Sequence, residues 1–437
     1  MTLSAADFAT DAHGWAEFLP PRRPAPPPSG TLRADWAVIG AGITGLAAAR
    51  RLAELNPGHR ILVLEARLVG QGASGRNSGY AVTASHFAGG YRPDEAGNYR
   101  RVNRINTAGL GILRDQVETL RIDCGWHEGG IYHTAADAAS MREYEAFAHY
   151  LNQLEIAHTP LSPEALASRL GTGLYRAGLH VHGGALLQPA ALVRGLSDSL
   201  PSNVQLYEQS PVLRLEDGAP AVLHLKGAEI HADHVVLAAN YEMGKLGFLR
   251  RYMLGSTLSG SFTRLLTPEE RAALGSLPEW GVLSLHTGGA TVRLTAEGRI
   301  CIRNTAEYNG DALLSPQQLA TRRALHRDGF ERRFPQLAHV PFEYSWSGVE
   351  GLTRNGTNFF GRKRANIYLA GGYNGSGVSR GTAFGTAIAE FACGADSDLI
   401  ADCLASAPGQ WLPPRPILDI GAFFTVRKRF MGVGQDR

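Results

Sequence analysis

The feature that most constrains this chain is a glycine-rich turn between a short apolar run and a helix-forming run. The turn, Gly40–Gly45, reads Gly-Ala-Gly-Ile-Thr-Gly and follows the apolar run Asp35–Ile39. The Ala- and Leu-rich stretch Leu46–Leu55 comes next and predicts a helix, and the apolar run Ile61–Leu64 predicts a second strand. Strand, turn, helix and strand within about 30 residues predict one βαβ unit with parallel strands.

The glycines of this turn match the G-x-G-x-x-G pattern of a dinucleotide site. Gly40 allows the tight turn after the strand, Gly42 lets the backbone approach a pyrophosphate, and Gly45 allows close packing of helix on strand. The pyrophosphate then meets the free N–H groups at the helix N-terminus. Glu65 follows the second strand, where a carboxylate accepts hydrogen bonds from ribose hydroxyls and repels a 2′-phosphate. The unit therefore predicts a dinucleotide site that disfavours NADP; the alternative is a packing turn with a solvated glutamate.

Two further glycine-rich segments lie far apart in the chain. The first, Gly70–Gly79, predicts a backbone wrapped closely around a ligand, with added donors from Arg76 and Asn77. The second, Gly371–Gly377, joins a short apolar strand to a helix predicted over residues 378–392. N–H groups at the start of that helix suit the negative charge of a reduced flavin ring. A flexible surface loop and a structural glycine turn are the alternatives.

The 437 residues favour two domains, and the local patterns differ between parts of the chain. Apolar runs at residues 234–239 and 367–370 are typical of buried parallel strands. The half-polar runs 281–285, 291–295 and 299–303 predict an antiparallel sheet. We expect an α/β fold with a Rossmann-like cofactor domain built from discontinuous segments, plus a mixed α+β substrate domain with an antiparallel sheet. The expected boundaries are an extended Pro-rich segment over 1–30, a cofactor domain over 31–115, 185–240 and 341–437, and a substrate domain over 116–184 and 241–340.

Composition and charge argue against several classes of protein. The net charge is +3, from 43 basic and 40 acidic residues, which indicates no nucleic-acid partner. The four cysteines lack CxxC or zinc spacing, so we expect reduced thiols, no metal site and a cytoplasmic protein. Neither a leader peptide nor a membrane-spanning stretch is predicted. The tail at 411–429 combines Trp, Ile and Phe with Arg-Lys-Arg; we favour a segment packed over its own domain, and an interfacial membrane anchor is the alternative.

Taken together, these motifs resemble the D-amino acid oxidase-like superfamily of FAD enzymes. The matching segments are GAGITG at 40–45, the glutamate at 65, GASGRNSG at 72–79 and IYLAGGYNGSGV at 367–378. Within the superfamily the chain is similar to the γ-glutamylputrescine oxidase branch, whose members carry a GASGRNGG-like loop. The resemblance spans nearly the whole chain and implies that the Rossmann-like domain binds FAD.

The resemblance also implies that FAD is bound non-covalently. Relatives with covalent flavin attach it through a cysteine or a histidine, and the corresponding positions here are Gly348 and Asn77. The residues expected to contact the cofactor belong mainly to the three glycine-rich motifs. They are Gly40, Gly42, Ile43, Thr44, Gly45, Glu65, Ala66, Arg67, Gly72, Ala73, Ser74, Arg76, Asn77, Ser78, Val212, Ala239, Gly372, Asn374, Gly375, Ser376, Gly377 and Val378.

The chemistry that the resemblance implies is oxidation of a C–N bond in a small amine or amino-acid substrate. Flavin N5 accepts a hydride from the carbon that bears a neutral amine, the imine product hydrolyses, and oxygen reoxidises the flavin. One alternative is an amine dehydrogenase that passes electrons to a quinone or protein acceptor. Another is a non-catalytic flavin subunit of a hetero-oligomer.

Glu350 is the first candidate on the substrate side. Amino-acid oxidases of the superfamily often carry an arginine at the corresponding turn, where it pairs with the substrate carboxylate. The reversed charge of Glu350 favours a cationic or amine-rich substrate. Alternatively, Glu350 faces solvent or pairs with Arg354.

The other substrate-side candidates are two arginines and three ring residues. Arg293 and Arg303 lie on predicted strands, and either is suited to a substrate carboxylate, although surface arginine is the alternative. Tyr80 and His86 follow the glycine loop and are expected to line the pocket. Tyr373 lies beside the second glycine motif, where it either covers the isoalloxazine or packs in the core.

Overall fold

Two large sheets and the helices around them make up the molecule. The structure is a computed structural model that describes residues 13–85, 92–286, 288–430 and 432–437. The strands, in chain order, are β1 (Gly30–Ile39), β2 (Ile61–Leu64), β3 (Tyr80–Ala81), β4 (Ile131–Ala135), β5 (His158–Leu161), β6 (Ala177–Val181), β7 (Ala185–Leu186), β8 (Val204–Tyr207), β9 (Arg214–Glu216), β10 (Ala221–Leu225), β11 (Ala228–Leu237), β12 (Met253–Thr263), β13 (Trp280–Ser284), β14 (Thr291–Leu294), β15 (Ile300–Glu307), β16 (Phe342–Thr353), β17 (Phe359–Arg362) and β18 (Ile367–Gly371).

The helices fall into long segments that cover the sheets and short segments in the connections. In chain order they are α1 (Gly14–Glu17), α2 (Ile43–Leu55), α3 (Ala73–Arg76), α4 (Ala96–Thr119), α5 (Ala138–Gln153), α6 (Pro163–Leu170), α7 (Pro189–Asp198), α8 (Pro268–Ala272), α9 (Pro316–Arg333), α10 (Gly377–Ala392), α11 (Asp398–Leu404) and α12 (Ile417–Phe430). Short 3₁₀ helices cover Pro93–Glu95, Asn240–Leu246 and Pro335–Leu337.

The first sheet has the order β17-β18-β11-β1-β2-β8. From β18 to β8 all neighbours are parallel, whereas β17 pairs antiparallel with β18 and a β9–β10 excursion pairs antiparallel with β11. The strand called β2 spans Ile61–Leu64, as the apolar run predicted. Because β18 lies beside β11, which lies beside β1, late and early parts of the chain complete one sheet.

Alternating side chains of β1 serve two separate cores. Trp36 and Val38 belong to the cluster that includes α2, α4 and α10, whereas Ala37 and Ile39 belong to the cluster on the other face. Successive side chains of a strand point to opposite faces, so a strand covered on both sides is apolar throughout. This explains why the sequence shows an unbroken apolar run here.

The second sheet has the order β16-β12-β15-β14-β13-β4-β6-β5 and is antiparallel except for the β13–β4 pair. Its strands β13, β14 and β15 correspond to the three half-polar runs that predicted an antiparallel sheet. One boundary differs from our division of the chain. We assigned residues 341–437 to the cofactor domain, but β16 pairs with β12 in the second sheet along its length.

The described part of the N-terminal segment is fastened across the molecule. In α1, Trp15 packs edge-on against Phe262, with ring centroids 4.6 Å apart. Residues 20–29 have no regular secondary structure. Within them Arg22 pairs with the buried Glu208 of the segment after β8, with an N–O distance of 2.5 Å. These contacts hold the segment against both sheets.

The C-terminal helix α12 has two unlike faces. Val426 and Phe430, on its inner face, line a large cavity. The outer face exposes Ile417, Ile420, Phe423 and Phe424, followed by the exposed Arg427 and Lys428. Across the described ranges, no helix combines the length and apolar character needed to cross a membrane.

Candidate active site

One cavity of about 1770 Å³ brings the three glycine-rich motifs together. Drug-sized ligands usually occupy about 300–1,000 Å³, so this cavity has room for a dinucleotide and a second molecule. Most of the predicted site residues line it. Of those predicted, the lining residues are Gly40, Gly42, Ile43, Thr44, Glu65, Ala66, Arg67, Gly72, Ala73, Ser74, Arg76, Asn77, Ser78, Tyr80, Val212, Ala239, Arg303, Glu350, Tyr373, Asn374, Gly375, Ser376, Gly377 and Val378. Gly45, Gly372 and Arg293 do not line it, and His86 lies outside the described residues.

The turn between β1 and α2 has no space for side chains. Gly40 has a φ of +104°, and a Cβ there would lie 2.9 Å from the carbonyl oxygen of Ala238. A Cβ on Gly45 would come within 1.8 Å of the Gly40 carbonyl oxygen, so this glycine serves packing. A Cβ on Gly42 would lie 2.8 Å from the Oγ of Ser74. The open N-terminus of α2 therefore faces the cavity without obstruction, which suits a pyrophosphate.

Glu65 is held against this turn by backbone donors. The N–H of Ala41 donates to its Oε2 at 2.8 Å, and the N–H of Arg67 donates to its Oε1 at 2.9 Å. Burial raises the pKa of Glu65, and these two backbone donors oppose the rise. The guanidinium of Arg67 pairs with both carboxylate oxygens of Glu242 instead. The remaining lone pairs of Glu65 are suited to ribose hydroxyls.

The loop around α3 fastens itself to its neighbours. The Ile43 N–H donates to Ser74 Oγ at 3.1 Å, and the Asn77 amide donates to two carbonyls of α3. Arg76 is buried and donates to Gln71 and to the carbonyl oxygen of Ser347 in β16. We expected Arg76 and Asn77 to offer donors to the cofactor. In the structure these groups donate to carbonyl oxygens of the protein instead, and these hydrogen bonds hold the loop in its conformation.

The second motif shapes the other end of the cavity. Asn374 has a φ of +52°, and its Oδ1 accepts the N–H of Thr353 at 2.8 Å. Its side-chain amide donates to the carbonyl oxygen of Gly372, which itself sits in a turn with a φ of +81°. Helix α10 then begins, and residues 375–378 line the cavity. The N-terminus of α10 therefore presents positive dipole charge to a ring bound there.

The glycine turn before α2 and the Gly371–Gly377 segment are in direct contact. The hydroxyl of Thr44 in α2 donates to the phenol oxygen of Tyr373 at 2.9 Å, in a buried position. A Cβ on Gly385 of α10 would lie 2.3 Å from the Thr44 carbonyl oxygen, so glycine allows the two helices to meet. Burial raises the pKa of Tyr373. Its ring borders the cavity, but its hydroxyl is engaged within the protein.

Glu350 and Arg303 lie on the wall that the second sheet contributes, and Tyr80 of the short strand β3 also lines the cavity. Glu350 is half-buried in β16, and its Oε2 would lie 3.2 Å from a Cβ on Gly375. Arg303 in β15 donates to the hydroxyl of Thr291; burial lowers the pKa of Arg303, and the nearby charge of Glu350 opposes that effect. The Tyr80 hydroxyl donates to the Val292 carbonyl at 2.9 Å. The wall therefore carries both a carboxylate and a guanidinium.

Arg293 requires a correction. It does not line the cavity, and its guanidinium pairs with Glu279 at 2.8 Å, both side chains being buried. It also donates to the carbonyl oxygen of Leu187 at 2.5 Å and to that of Gly79 at 3.3 Å. These partners leave it supporting the loop behind the cavity rather than meeting a substrate carboxylate.

Sequence reasoning missed a second buried arginine in the wall. Arg380, in the first turn of α10, is 4% exposed and lines the cavity beside Ser85. Its signal in the sequence is a charge within a Gly-, Ala- and Thr-rich helix whose next charged residue is Glu390. Such a helix is buried, and a charged side chain in its first turn therefore needs polar or charged partners.

Comparisons with known proteins agree with the observed fold. The model of the DAO family, FAD dependent oxidoreductase, matches residues 35–391. The chain is 29% identical over 419 residues to γ-glutamylputrescine oxidoreductase of Escherichia coli K12, which covers 91% of this chain and 94% of that protein. Among solved structures, glycine oxidase from Geobacillus kaustophilus has a TM-score of 0.71 at 19% identity, covering 84% of this chain and 96% of the other. L-proline dehydrogenase from P. horikoshii has a TM-score of 0.67 at 16% identity, covering 84% and 93%.

These matches confirm the predicted superfamily and its FAD cofactor. The residues also fit FAD, since the turn before α2, the anchored Glu65 and the α10 N-terminus offer what its pyrophosphate, ribose and ring need. The chain belongs to the DAO family of FAD-dependent oxidoreductases.

Proposed function

We propose that this protein oxidises a C–N bond in an amine or amino-acid-like substrate. FAD, when bound, supplies the hydride acceptor for this chemistry, and the imine product then hydrolyses in water. The proposal draws on the amine named for the E. coli relative and on the space that the cavity offers beyond a dinucleotide. The observation that carries it is the carboxylate of Glu350 on the cavity wall beside Gly375.

The protein's own part is to bind and orient. The turn before α2 and Glu65 position the dinucleotide, and residues 375–378 at the start of α10 border the ring end of the cavity. Glu350 Oε2 is an acceptor for an N–H of the substrate amine, and its charge attracts a cationic amine from solution. The aromatic rings of Tyr80 and Tyr373 line the same cavity. Orientation of this kind supplies a large part of the rate enhancement.

Reoxidation by molecular oxygen is the companion proposal. An amine dehydrogenase with a quinone or protein acceptor is the second candidate, favoured by the exposed Phe423 and Phe424 beside Arg427 and Lys428 on α12. The two differ in a simple assay. An oxidase forms hydrogen peroxide in stoichiometric amounts with air, whereas a dehydrogenase turns over only with an added dye or quinone.

The test of the proposed function is anaerobic mixing of FAD-loaded protein with polyamines, γ-glutamyl amines, D-amino acids and N-methyl amino acids. We expect at least one class to bleach the flavin absorbance. If no amine bleaches a flavin that dithionite reduces normally, the non-catalytic flavin-subunit alternative takes its place.

The part assigned to Glu350 has its own test. Glu350→Gln removes the charge at nearly constant volume, and Glu343→Gln removes a carboxylate from the exposed end of the same strand. We expect KM for the reacting amine to rise about 10-fold or more in the first variant, the loss of roughly one charged hydrogen bond, and to stay unchanged in the second. An unaltered KM in Glu350→Gln would remove Glu350 from the site.

A further inference from the structure

Arg380 is surrounded by neutral partners. Its Nε donates to Asn106 Oδ1 at 3.0 Å, one terminal nitrogen donates to Ser85 Oγ at 2.8 Å, and the other lies 3.4 Å from the Tyr373 carbonyl oxygen. A guanidinium has five N–H donors and stays charged at physiological pH. Three of the five are therefore engaged, and two remain for another acceptor.

Ser85 adds a donor to the same place. Its Oγ accepts from Arg380 and also from the side-chain amide of Asn106 at 3.0 Å. Both lone pairs of that oxygen are thus used, so the hydroxyl hydrogen is left to donate. Asn106 is fully buried and donates its second amide hydrogen to the Thr83 carbonyl oxygen. The polar groups left over at this point of the wall are all donors.

Within the described ranges, no carboxylate lies in salt-bridge distance of Arg380. On α11, which packs against α10, the acidic side chain of Asp402 has both oxygens bonded to Arg104. The nearby Arg101 donates to the Asp402 carbonyl and to Asn98 instead. Burial, and next the charge of Arg101, lower the pKa of Arg380 to about 10. The charge of Arg101 adds to the positive potential around Arg380 instead of balancing it.

Two other buried guanidiniums of this protein have a counter-charge. Arg293 meets Glu279, and Arg333 meets Asp436 in a fully buried pair. Buried charges in proteins are generally paired, because an unpaired one is expensive to desolvate. Arg380 differs in that it opens onto the cavity, where a ligand is able to supply the missing charge.

We propose that Arg380 and Ser85 form the subsite for a carboxylate of the substrate, an inference that rests on the proposed function. The fork of a guanidinium matches the two oxygens of a carboxylate, and the Ser85 hydroxyl adds a third donor. Glu350, on the wall formed by β16, receives the amine. The substrate is accordingly a zwitterion, an amine that also carries a carboxylate, and purely cationic polyamines are poor substrates.

Arg303 is the competing cation in the same cavity. Its charge is already met in part by Glu350, and its guanidinium donates to Thr291. Arg303→Met is therefore the control for Arg380→Met, since each removes one guanidinium from the cavity wall at similar volume.

The experiment uses FAD-loaded protein and a pair of small probes, propionate and its neutral amide propionamide. Flavin absorbance difference spectra report binding without turnover. We expect propionate to bind at least 10-fold more tightly than propionamide. Arg380→Met should lose at least 10-fold in propionate affinity, Arg380→Lys should lose less, and Ser85→Ala should lose a few-fold. Arg303→Met should keep propionate affinity within about 3-fold.

Two results would overturn the assignment. One is equal affinity of the unaltered protein for propionate and propionamide, a measurement that depends on no variant. The other is a loss of propionate affinity in Arg303→Met that exceeds the loss in Arg380→Met. Because the probes are not oxidised, propionate binding at Arg380 together with no bleaching by any amine would refute the proposed function and leave the anion subsite standing.

Discussion

At the scale of single residues, Glu65 decides how firmly the dinucleotide is held. Its two oxygens accept the N–H groups of Ala41 and Arg67, so one carboxylate shapes the turn and faces the ribose. In Glu65→Gln an amide N–H2 replaces one acceptor and opposes a backbone donor. We expect the Kd for FAD to rise about 10- to 100-fold, as for loss of a charged hydrogen bond. Titration of apoprotein with FAD, followed by flavin fluorescence, measures this.

A glutamate on the same βαβ unit provides the control for that variant. Glu54 in α2 is exposed and pairs with Arg51 on the surface. Glu54→Gln should bind FAD like the unaltered protein. Equal FAD affinity in both variants would mean that the ribose is held elsewhere.

The Arg293–Glu279 pair governs stability at the same scale. Removal of one partner leaves a buried charge, so Arg293→Met and Glu279→Leu should each lower the free energy of unfolding by about 3–5 kcal/mol. The double variant should lose less free energy of unfolding than the two single variants together, and the difference, the coupling energy of the pair, should be about 1–3 kcal/mol. Urea denaturation of the FAD-loaded variants gives these values.

The control for this double-mutant cycle is a second cycle on an exposed Arg–carboxylate pair. Arg364 and Asp217 are more than half exposed, so their coupling should stay below about 1 kcal/mol. Similar coupling in both cycles would contradict the structural part that we assign to Arg293.

At the scale of elements, the contact between α4 and α10 positions the start of α10. A Cβ on Gly109 would lie 1.9 Å from the Ser379 carbonyl oxygen, whereas a Cβ on Gly111 of the same helix meets nothing within 4 Å. Gly109→Ala should destabilise the protein by about 1–3 kcal/mol and lower FAD occupancy, because α10 must shift. Gly111→Ala should be neutral or stabilise by up to about 1 kcal/mol. Thermal melts and the ratio of flavin to protein absorbance test both; equal effects would refute the packing argument.

Elements with a strong local pattern were predictable, and their tertiary partners were not. The apolar run Ile61–Leu64 and the helix after Gly377 appear as predicted, because burial on both faces and small-residue helix packing leave local signatures. The membership of β16 in the second sheet depends on its pairing with β12, about 90 residues earlier, which no local pattern reports. For the same reason the sequence indicated Arg293 as a ligand and overlooked Arg380. Burial and partners distinguish the two, and both are set by distant residues.

At the scale of the whole molecule, FAD should act as a structural component. Its cavity is lined by both sheets and by α12, so the folded state binds FAD and the unfolded chain does not. Free FAD at about 100 times its Kd should add about 2.7 kcal/mol to the free energy of unfolding, and the melting temperature should keep rising with FAD concentration. Thermal melts of apoprotein at stepwise FAD concentrations measure this. Adenosine, which is large enough to fill only one end of the cavity, is the control ligand and should raise the melting temperature less. A melting temperature independent of FAD would contradict an FAD site in this cavity.

The contact between Thr44 and Tyr373 has a consequence for biosynthesis. The two residues are 329 positions apart, so the ribosome releases the dinucleotide turn long before the segment that encloses the ring. At roughly 5–20 residues per second the interval is roughly 15 to 65 seconds. In the later part of that interval β11 has been made but β18 has not, and an uncovered strand edge invites pairing with other chains. The cofactor cavity is therefore complete only once the C-terminal strands have been made, and we expect flavin to be loaded late in synthesis.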